Sequence, residues 1–401
     1  MSDLDAYRAK ARAWLESQAA EFGREARRGL SVEDDLALGR RYQRAKYDAG
    51  YTGINWPVEV GGQGLGHLEK VTFDAEEMQF GMPNVYFGIS LGMQVPILIR
   101  FCEDKPWMKE RVIAALKGEE IWCQLFSEPS GGSDLAALRT RAETDGNGWK
   151  MNGQKVWTSW AQYCDYGVIV VRTDPTVPKH KGLTYFWVDM KAPGVEVRPI
   201  KLAGGDSHVN EVFFDDVRLE DSQRMSPVGG GFAVALATLM IERYVATDSA
   251  GFGPHLDLFV ETARDVEFNG RPAIEDGRVR SAIARNHAMR AGLDSITRRA
   301  MLMMQAGMPP GPEGSLQKLV AVRSRQKLSE LGLDLQGNMG LAFDPHAFVK
   351  ENWGTSWLNA PTGRIAGGSD EVLLNTIAEK ILGLPQDHRP DKGVPFNQIP
   401  A

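Results

Sequence analysis

At 401 residues with 43% hydrophobic content, the chain is long enough to bury more than one core, so a multi-domain globular protein is expected. A formal net charge of −6 leaves no basic excess for phosphate backbones or anionic lipid, which excludes nucleic acid and membrane surfaces as natural partners. Three scattered cysteines (Cys102, Cys123, Cys164) form no C-x-x-C pair; neither a disulfide framework nor a zinc site is expected, and a reducing cytoplasm fits.

The N-terminal stretch MSDLDAYRAKARAWLESQ is charged and amphipathic, unlike a secretory or transit peptide. No apolar run reaches the ~18 residues needed to cross a bilayer. The run from Gly231 to Ile241 stops at Glu242.

Residues 1–118 read as a helical domain. Leu4, Tyr7, Ala11, Trp14 and Leu15 recur at helical spacing, as do Leu36, Leu38, Tyr42, Ala45 and Ala49 before a stop at Gly50. A loop through Trp56, Pro57 and the following glycines leads to helical segments at 68–80 and 106–117. Gly88-Ile89-Ser90-Leu91-Gly92 matches the G-x-S-x-G pattern of serine hydrolases. That chemistry needs a strand before the serine and an Asp and His after it in chain order. The residues MPNVYF could supply a short strand, but Pro96 interrupts the helix, so small residues packing between helices is the better account.

From about residue 119 to 225 the pattern changes to β-branched and alternating runs: 149–157, 166–173, 183–190, 195–200 and 209–219. Turn clusters such as Asp145-Gly146-Asn147-Gly148 separate them, which predicts an antiparallel β-barrel or sandwich, with 172–182 as a polar surface loop. Residues 226–385 return to helix as a C-terminal bundle. Its first segment, 232–250, is apolar on most faces and reads as a buried helix. The Pro-rich tail 386–401 reads as an arm for a neighbour. The fold class is therefore α+β: helical domain, β domain, helical bundle.

Within the β region, residues 122–158 carry the chemistry. Pro129, Ser130, Gly131, Gly132 and Ser133 form a small-residue turn; the strand that follows ends on Trp157, Thr158 and Ser159. Glycines allow backbone N–H groups close to a ligand, hydroxyls offer polar contacts, and an indole offers a flat apolar face. On these residues alone an ordinary Gly-rich loop is the better account. No G-x-G-x-x-G or P-loop pattern occurs, so a Rossmann or P-loop site is not supported.

The segment EPSGGSDLAALRTRA followed by NGQKVWTS resembles the flavin-binding signature of the acyl-CoA dehydrogenase family. The resemblance extends over almost the whole chain: NWPVEVGGQG (55–64), VNEVFFDDV (209–217), the Glu242-Arg243 pair and RIAGGSDEVLLNTIAEKILGLP (364–385) fall in the family's order. It implies FAD as cofactor, held between the β domain and the C-terminal bundle. Gln124, Phe126, Ser127, Gly132 and Ser133 would contact FAD or the acyl entrance, with Trp157, Thr158 and Ser159 along the isoalloxazine. Ser369, Asp370 and Glu371 would meet pyrophosphate and ribitol. Gly337 and Gly340 would receive the adenine end from a neighbouring subunit, although Asp334 stands where a glutamine is common. The arginine of the family's R-x-x-F-G survives loosely as Arg264, with altered spacing before Gly270.

Forming a double bond between the α and β carbons of a thioester needs a base for the α proton and an acceptor for the β hydride; a carboxylate and a flavin supply these. Many relatives carry the base in a Y-E-G-T motif, whereas this chain has Ala366-Gly367-Gly368-Ser369. One subgroup, the isovaleryl- and long-chain-type enzymes, places the glutamate on an internal helix before an arginine, and Glu242-Arg243 matches that arrangement. Desolvation on such a helix would raise a carboxylate pKa into a useful range. Losing both bulky residues at 366 and 367 leaves space consistent with a bulky, branched or cyclic acyl group, with Ser133, Gly367 and Gly368 as the residues that would meet it. The family further implies electron-transferring flavoprotein as partner and a homo-oligomer, or a hetero-oligomer with a paralogous subunit. A non-catalytic subunit of such a hetero-oligomer and a flavin monooxygenase or oxidase on the same fold are the alternatives.

Overall fold

The computed structural model describes residues 3–248, 256–268, 270–305, 311–341 and 353–399; side chains are described for these except at 242–248, 301, 304–305, 339 and 341. The chain divides into two compact units. One comprises Met1–Lys201, Ser207–Ile241 and Arg389–Ala401; the other comprises Leu202–Asp206 and Glu242–His388.

The first unit opens with helices α1 (Asp3–Phe22), α2 (Val32–Asp48) and α3 (His67–Phe80). Ser31 caps α2 by accepting the Asp34 N–H, and Glu33, Asp34 and Asp35 favour the positive end of the helix dipole. The heptad-like apolar positions do what their spacing predicts: Ala11, Leu15, Tyr42 and Phe73 are fully buried in one core. Helices α4 (Val95–Phe101) and α5 (Met108–Leu116) follow. Pro96 sits in the first turn of α4, where its missing N–H has no helical partner to lose. The helical backbone runs directly into α4 from the turn at 90–94, so Pro96 does not interrupt it. Val85–Phe87 form a 3-10 turn and Ser90–Gln94 a π-helical turn. Among the described residues no strand precedes Ser90, which is fully buried, so the nucleophile-elbow geometry is absent here.

The β domain contains β1 (Trp122–Leu125), β2 (Arg141–Asp145), β3 (Gly148–Ser159), β4 (Tyr166–Arg172), β5 (Leu183–Asp189), β6 (Val195–Ile200) and β7 (Val209–Glu220). Strand order is β1-β4-β2-β3-β7-β6, with β5 on the other edge of β4. Most pairings are antiparallel as expected, but β1 runs parallel to β4, in register Cys123 with Gly167, and Arg141 of β2 bridges β4 in parallel. A four-residue apolar strand such as β1 has no alternation to reveal its direction. Strand β4 is buried on both faces: Val168 and Val170 enter the core shared with α4 and α5, while Ile169 and Val171 enter the core of the opposite face.

The tail lies on this chain's own β domain. Phe396 N–H donates to the Val177 carbonyl and Asn397 N–H to the Pro175 carbonyl, so the tail straps the 172–182 loop. The reason is local: the buried Arg172 guanidinium presents its face to the Phe396 ring at 3.5 Å, and Asp391 pairs with Lys179 at 2.5 Å.

Helix α6 (Gly231–Asp248) covers the segment whose sequence reads as a buried helix. Over its described side chains the burial is one-sided: Val234, Ala235 and Thr238 are buried and Leu236 and Met240 are exposed, because a single stripe packs on the β-domain core.

The second unit is built from α7 (Leu256–Asp265), α8 (Gly277–Gln305), α9 (Glu313–Gln336), α10 (Asn338–Leu341), α11 (Trp353–Asn359) and α12 (Asp370–Thr376), with a two-stranded ribbon β8 (Glu267–Phe268) and β9 (Arg271–Pro272). Its core centres on the fully buried Trp353, whose Nε1 donates to Thr262 Oγ1. Gly332 makes this possible: a Cβ there would stand 2.1 Å from the Trp353 ring. Among the described residues no helix is long and apolar enough to cross a membrane.

Candidate functional site

The two signature segments of the β domain meet in space. The Val156 N–H donates to the Ser127 carbonyl, placing the exit of β1 beside the end of β3, and a Cβ built on Gly132 would lie 3.6 Å from Ser127 Oγ. Phe126 is buried, while Gly132 and Ser133 are exposed on the turn. Gly131 N–H donates to Glu128 O and Glu128 N–H to Gly131 O, which closes a tight turn. The Gly131 amide is thus spent within the turn, contrary to the expectation that it faces a ligand.

Opposite this turn, β3 carries a bulge. The register steps from Lys155 opposite Val212 to Thr158 opposite Asn210, leaving one extra residue on β3. Trp157 sits in the bulge with φ 62°, and its side chain is 59% exposed. A bulky residue in the left-handed region costs roughly 1–2 kcal/mol and persists only where its surroundings impose it. Next to it Thr158 is buried, and its Oγ1 has no hydrogen-bond partner. Its backbone carbonyl is fixed by Asn210 Nδ2 at 2.9 Å. Ser159, half-buried, resumes the pairing opposite Val209.

Behind both segments lies a charged pair that sequence reading left without a role. Lys155 Nζ donates to Glu128 Oε1 at 2.8 Å, to the Phe126 carbonyl at 3.1 Å and to the Val170 carbonyl at 2.9 Å. Glu128 accepts in addition from the backbone N–H groups of Arg139 and Thr140. Burial alone would push the Glu128 pKa up; the ammonium and these donors hold it below the usual carboxylate range. Burial lowers the Lys155 pKa, with Glu128 opposing. Gln94, on the π-helical turn, was also missed. It is fully buried, its Nε2 donates to Gln124 Oε1 at 2.9 Å, and its own Oε1 has no partner. A π-turn ahead of a proline has no periodic signature, whereas such turns recur at functional sites.

In the second unit, Gly367 (φ 68°) and Gly368 (φ 97°) form a left-handed turn that side chains rarely adopt. The fully buried Lys318 donates to the Gly368 carbonyl at 2.6 Å. Ser369 caps α12 by accepting the Val372 N–H. Asp370 is buried, and its Oδ2 receives Arg364 Nη2 at 2.6 Å and Arg323 Nη2 at 2.9 Å. Burial opposes ionisation of Asp370, but the two arginines hold its pKa below the usual range. Its Oδ1 has no partner. Glu371 is exposed, and so is Arg264, at the end of α7. Gly337 ends α9 with φ 52°, its N–H donating to Asp334 O, and Gly340 N–H donates to Gly337 O. The backbone of Glu242 and Arg243 continues α6; their side chains lie outside the described residues.

The β-domain residues fit a flavin. A strained, exposed indole, a buried hydroxyl lacking a partner and an open glycine turn suit a planar ring system with polar edges, and the orphaned Thr158 Oγ1 is costly unless a ligand satisfies it.

A helical domain, a β domain and a helical bundle in this chain order define the acyl-CoA dehydrogenase fold. Family models match its N-terminal domain over residues 2–120, its middle domain over 123–217 and its C-terminal domain over 229–382. The chain is 33% identical over 396 residues to acyl-CoA dehydrogenase IpdE1 of Mycobacterium tuberculosis, covering 96% of this chain and 99% of that one. It is 35% identical over 347 residues to acyl-CoA dehydrogenase FadE34 of the same organism, covering 86% of this chain but only 46% of that protein, so it spans about half of FadE34. The solved structure of a G363A variant of the Tcur3481-Tcur3483 steroid ACAD superposes with a TM-score of 0.79 at 25% identity, over 96% of this chain and 99% of the other. The chain belongs to the acyl-CoA dehydrogenase family, whose members are enzymes that in general depend on FAD.

Proposed function

We propose that the protein catalyses FAD-dependent α,β-dehydrogenation of an acyl-CoA thioester and passes the electrons to an electron-transferring flavoprotein. The observation that carries this reading is the Trp157 bulge with the orphaned Thr158 hydroxyl, on a strand whose Val156 is hydrogen-bonded to Ser127 and which the family's middle-domain model matches. When bound, FAD would supply the acceptor for the β hydride. Gln124, Phe126, Ser127, Gly132, Ser133, Trp157, Thr158 and Ser159 are assigned to it on the β-domain side, and Arg264, Gly337, Ser369 and Glu371 on the helical side. Glu242 is assigned as the base that takes the α proton, and Arg243 as the residue that orients the active-site loops or the 370s segment. A carboxylate raised by desolvation matches an α proton better than a solvated one.

Ser133, Gly367 and Gly368 are assigned to the acyl group. Ala366 and Gly367 stand where the Y-E-G-T motif of many relatives has a tyrosine and a glutamate, and the loss of both bulky side chains supports a branched, cyclic or otherwise bulky acyl moiety. The likeness to a protein described as a steroid ACAD supports the same reading. We assign the working assembly to an oligomer, of identical or paralogous subunits.

The test is anaerobic titration of the yellow protein with thioesters ranging from short straight chains to bulky ring acids. Bleaching of the flavin band by the bulky class is expected. Glu242→Gln should keep FAD and lose substrate-driven bleaching; unchanged bleaching refutes Glu242 as the base.

A further inference from the structure

We infer that Glu128 and Lys155 are positioning residues for the flavin-facing backbone, setting the exit of β1 and the β3 bulge in one arrangement before any ligand arrives. The inference deepens the proposed flavin reading and rests on it for the identity of the ligand. Lys155 is fully buried, and its three donor positions are taken up by three acceptors on separate segments: the Phe126 carbonyl at the exit of β1, Glu128 in the turn and the Val170 carbonyl on β4. Glu128 then binds the two amides that lead into β2, Arg139 N–H at 2.6 Å and Thr140 N–H at 2.9 Å. One ion pair thus fixes four stretches of backbone.

The grip falls where position counts. The carbonyl held by Lys155 belongs to Phe126; the next carbonyl, Ser127, receives the Val156 N–H, and the next residue along β3 is the strained Trp157. Lys155 is therefore two residues from the bulge on its own strand and one hydrogen bond from the turn facing it. A buried ion pair is weak evidence for stability, since well-packed apolar residues of similar volume serve as well or better. What an apolar pair cannot do is hold carbonyls by direction. A positive-φ tryptophan needs such over-determination to persist.

The test compares the wild type with Lys155→Met, Glu128→Gln and the double variant Glu128→Gln/Lys155→Met. Readouts are the thermal midpoint, amide hydrogen exchange of segments 126–133 and 155–159 in the apoprotein, and the FAD dissociation constant from flavin fluorescence. Lys155→Met leaves a carboxylate buried without its partner and should be the least stable. The double variant removes that imbalance and should regain much of the midpoint, while exchange in both segments speeds up and FAD binds about tenfold or more weakly, because the carbonyl anchors stay lost. Stability, exchange and FAD affinity all returning to wild-type values in the double variant overturns the inference and leaves the pair a structural filler. Should the double variant not fold, Glu128→Gln decides: it keeps the shape and loosens the turn, so faster exchange in 126–133 supports positioning and wild-type exchange opposes it. If the wild type takes up no FAD, the flavin reading fails, and the exchange data still decide whether the pair sets the backbone.

Discussion

The contact between Phe396 and Arg172 gives a quantitative handle on the tail. Arg172 is 4% exposed; it donates to the carbonyls of Ala136, Leu138 and Lys179, and its remaining open face is covered by the Phe396 ring at 3.5 Å. Burial brings the Arg172 pKa down to about 10, with Glu128 opposing. A desolvated cation–π contact is worth about 2 kcal/mol, and half-burying a phenyl ring adds about 1 kcal/mol. The Lys179–Asp391 pair is partly exposed and contributes no more than ~1 kcal/mol. Ordering a residue costs about 1–2 kcal/mol in chain entropy, so the strap is held by a narrow margin. Phe396→Ala, losing about 3 kcal/mol, should raise the local opening constant about a hundredfold. The assay is amide hydrogen exchange at Phe396 and Asn397, whose N–H groups bond to the 175–177 carbonyls. Loss of protection there, with core strands such as β4 unchanged, is expected. Unaltered protection at both amides would refute the argument that the ring on Arg172 holds the tail.

Thr158→Val should separate stability from binding: removing a buried hydroxyl without a partner stabilises the apoprotein by about 1 kcal/mol, while FAD affinity falls, both read by calorimetry and flavin fluorescence. A variant that binds FAD as well as the wild type would show that the hydroxyl is not a ligand contact. In the helical core, Glu77 accepts from Tyr42 Oη at 2.6 Å, Lys46 Nζ at 2.7 Å and Asn84 Nδ2 at 3.0 Å. Burial alone would raise its pKa, but these partners lower it. A depressed carboxylate stabilises the fold fully above its unfolded pKa of about 4.3 and loses that contribution as pH falls through the folded value. Acid unfolding of the wild type should therefore be steeper below about pH 4.3 than that of Glu77→Gln, and identical slopes would count against the pair.

Much of the fold is written locally. The alternation of 195–200 marks β6, Asp145-Gly146-Asn147-Gly148 becomes the two-residue turn between β2 and β3, and Ala11, Leu15 and Tyr42 meet in a core because helical spacing puts them on one face. The signature residues were legible as well, down to Trp157, Thr158 and the turn at 129–133. Each of these depends on neighbours in sequence or on a pattern that repeats along the chain.

What the linear order could not supply are interactions whose partners are distant and whose residue types point elsewhere. Arg172 and Phe396 lie more than 200 positions apart, and only folding brings them face to face. Pro96 reads as a breaker because composition does not say whether it falls in the first turn or the interior of a helix. The strain at Trp157 arises from a one-residue mismatch with β7, a property of register that neither strand carries alone. Lys155 and Glu128 are 27 positions apart, and nothing in the linear order pairs them. Only the closed sheet removes them from water, and a desolvated charge must take every hydrogen bond within reach, which is why tertiary structure decided their place at the site.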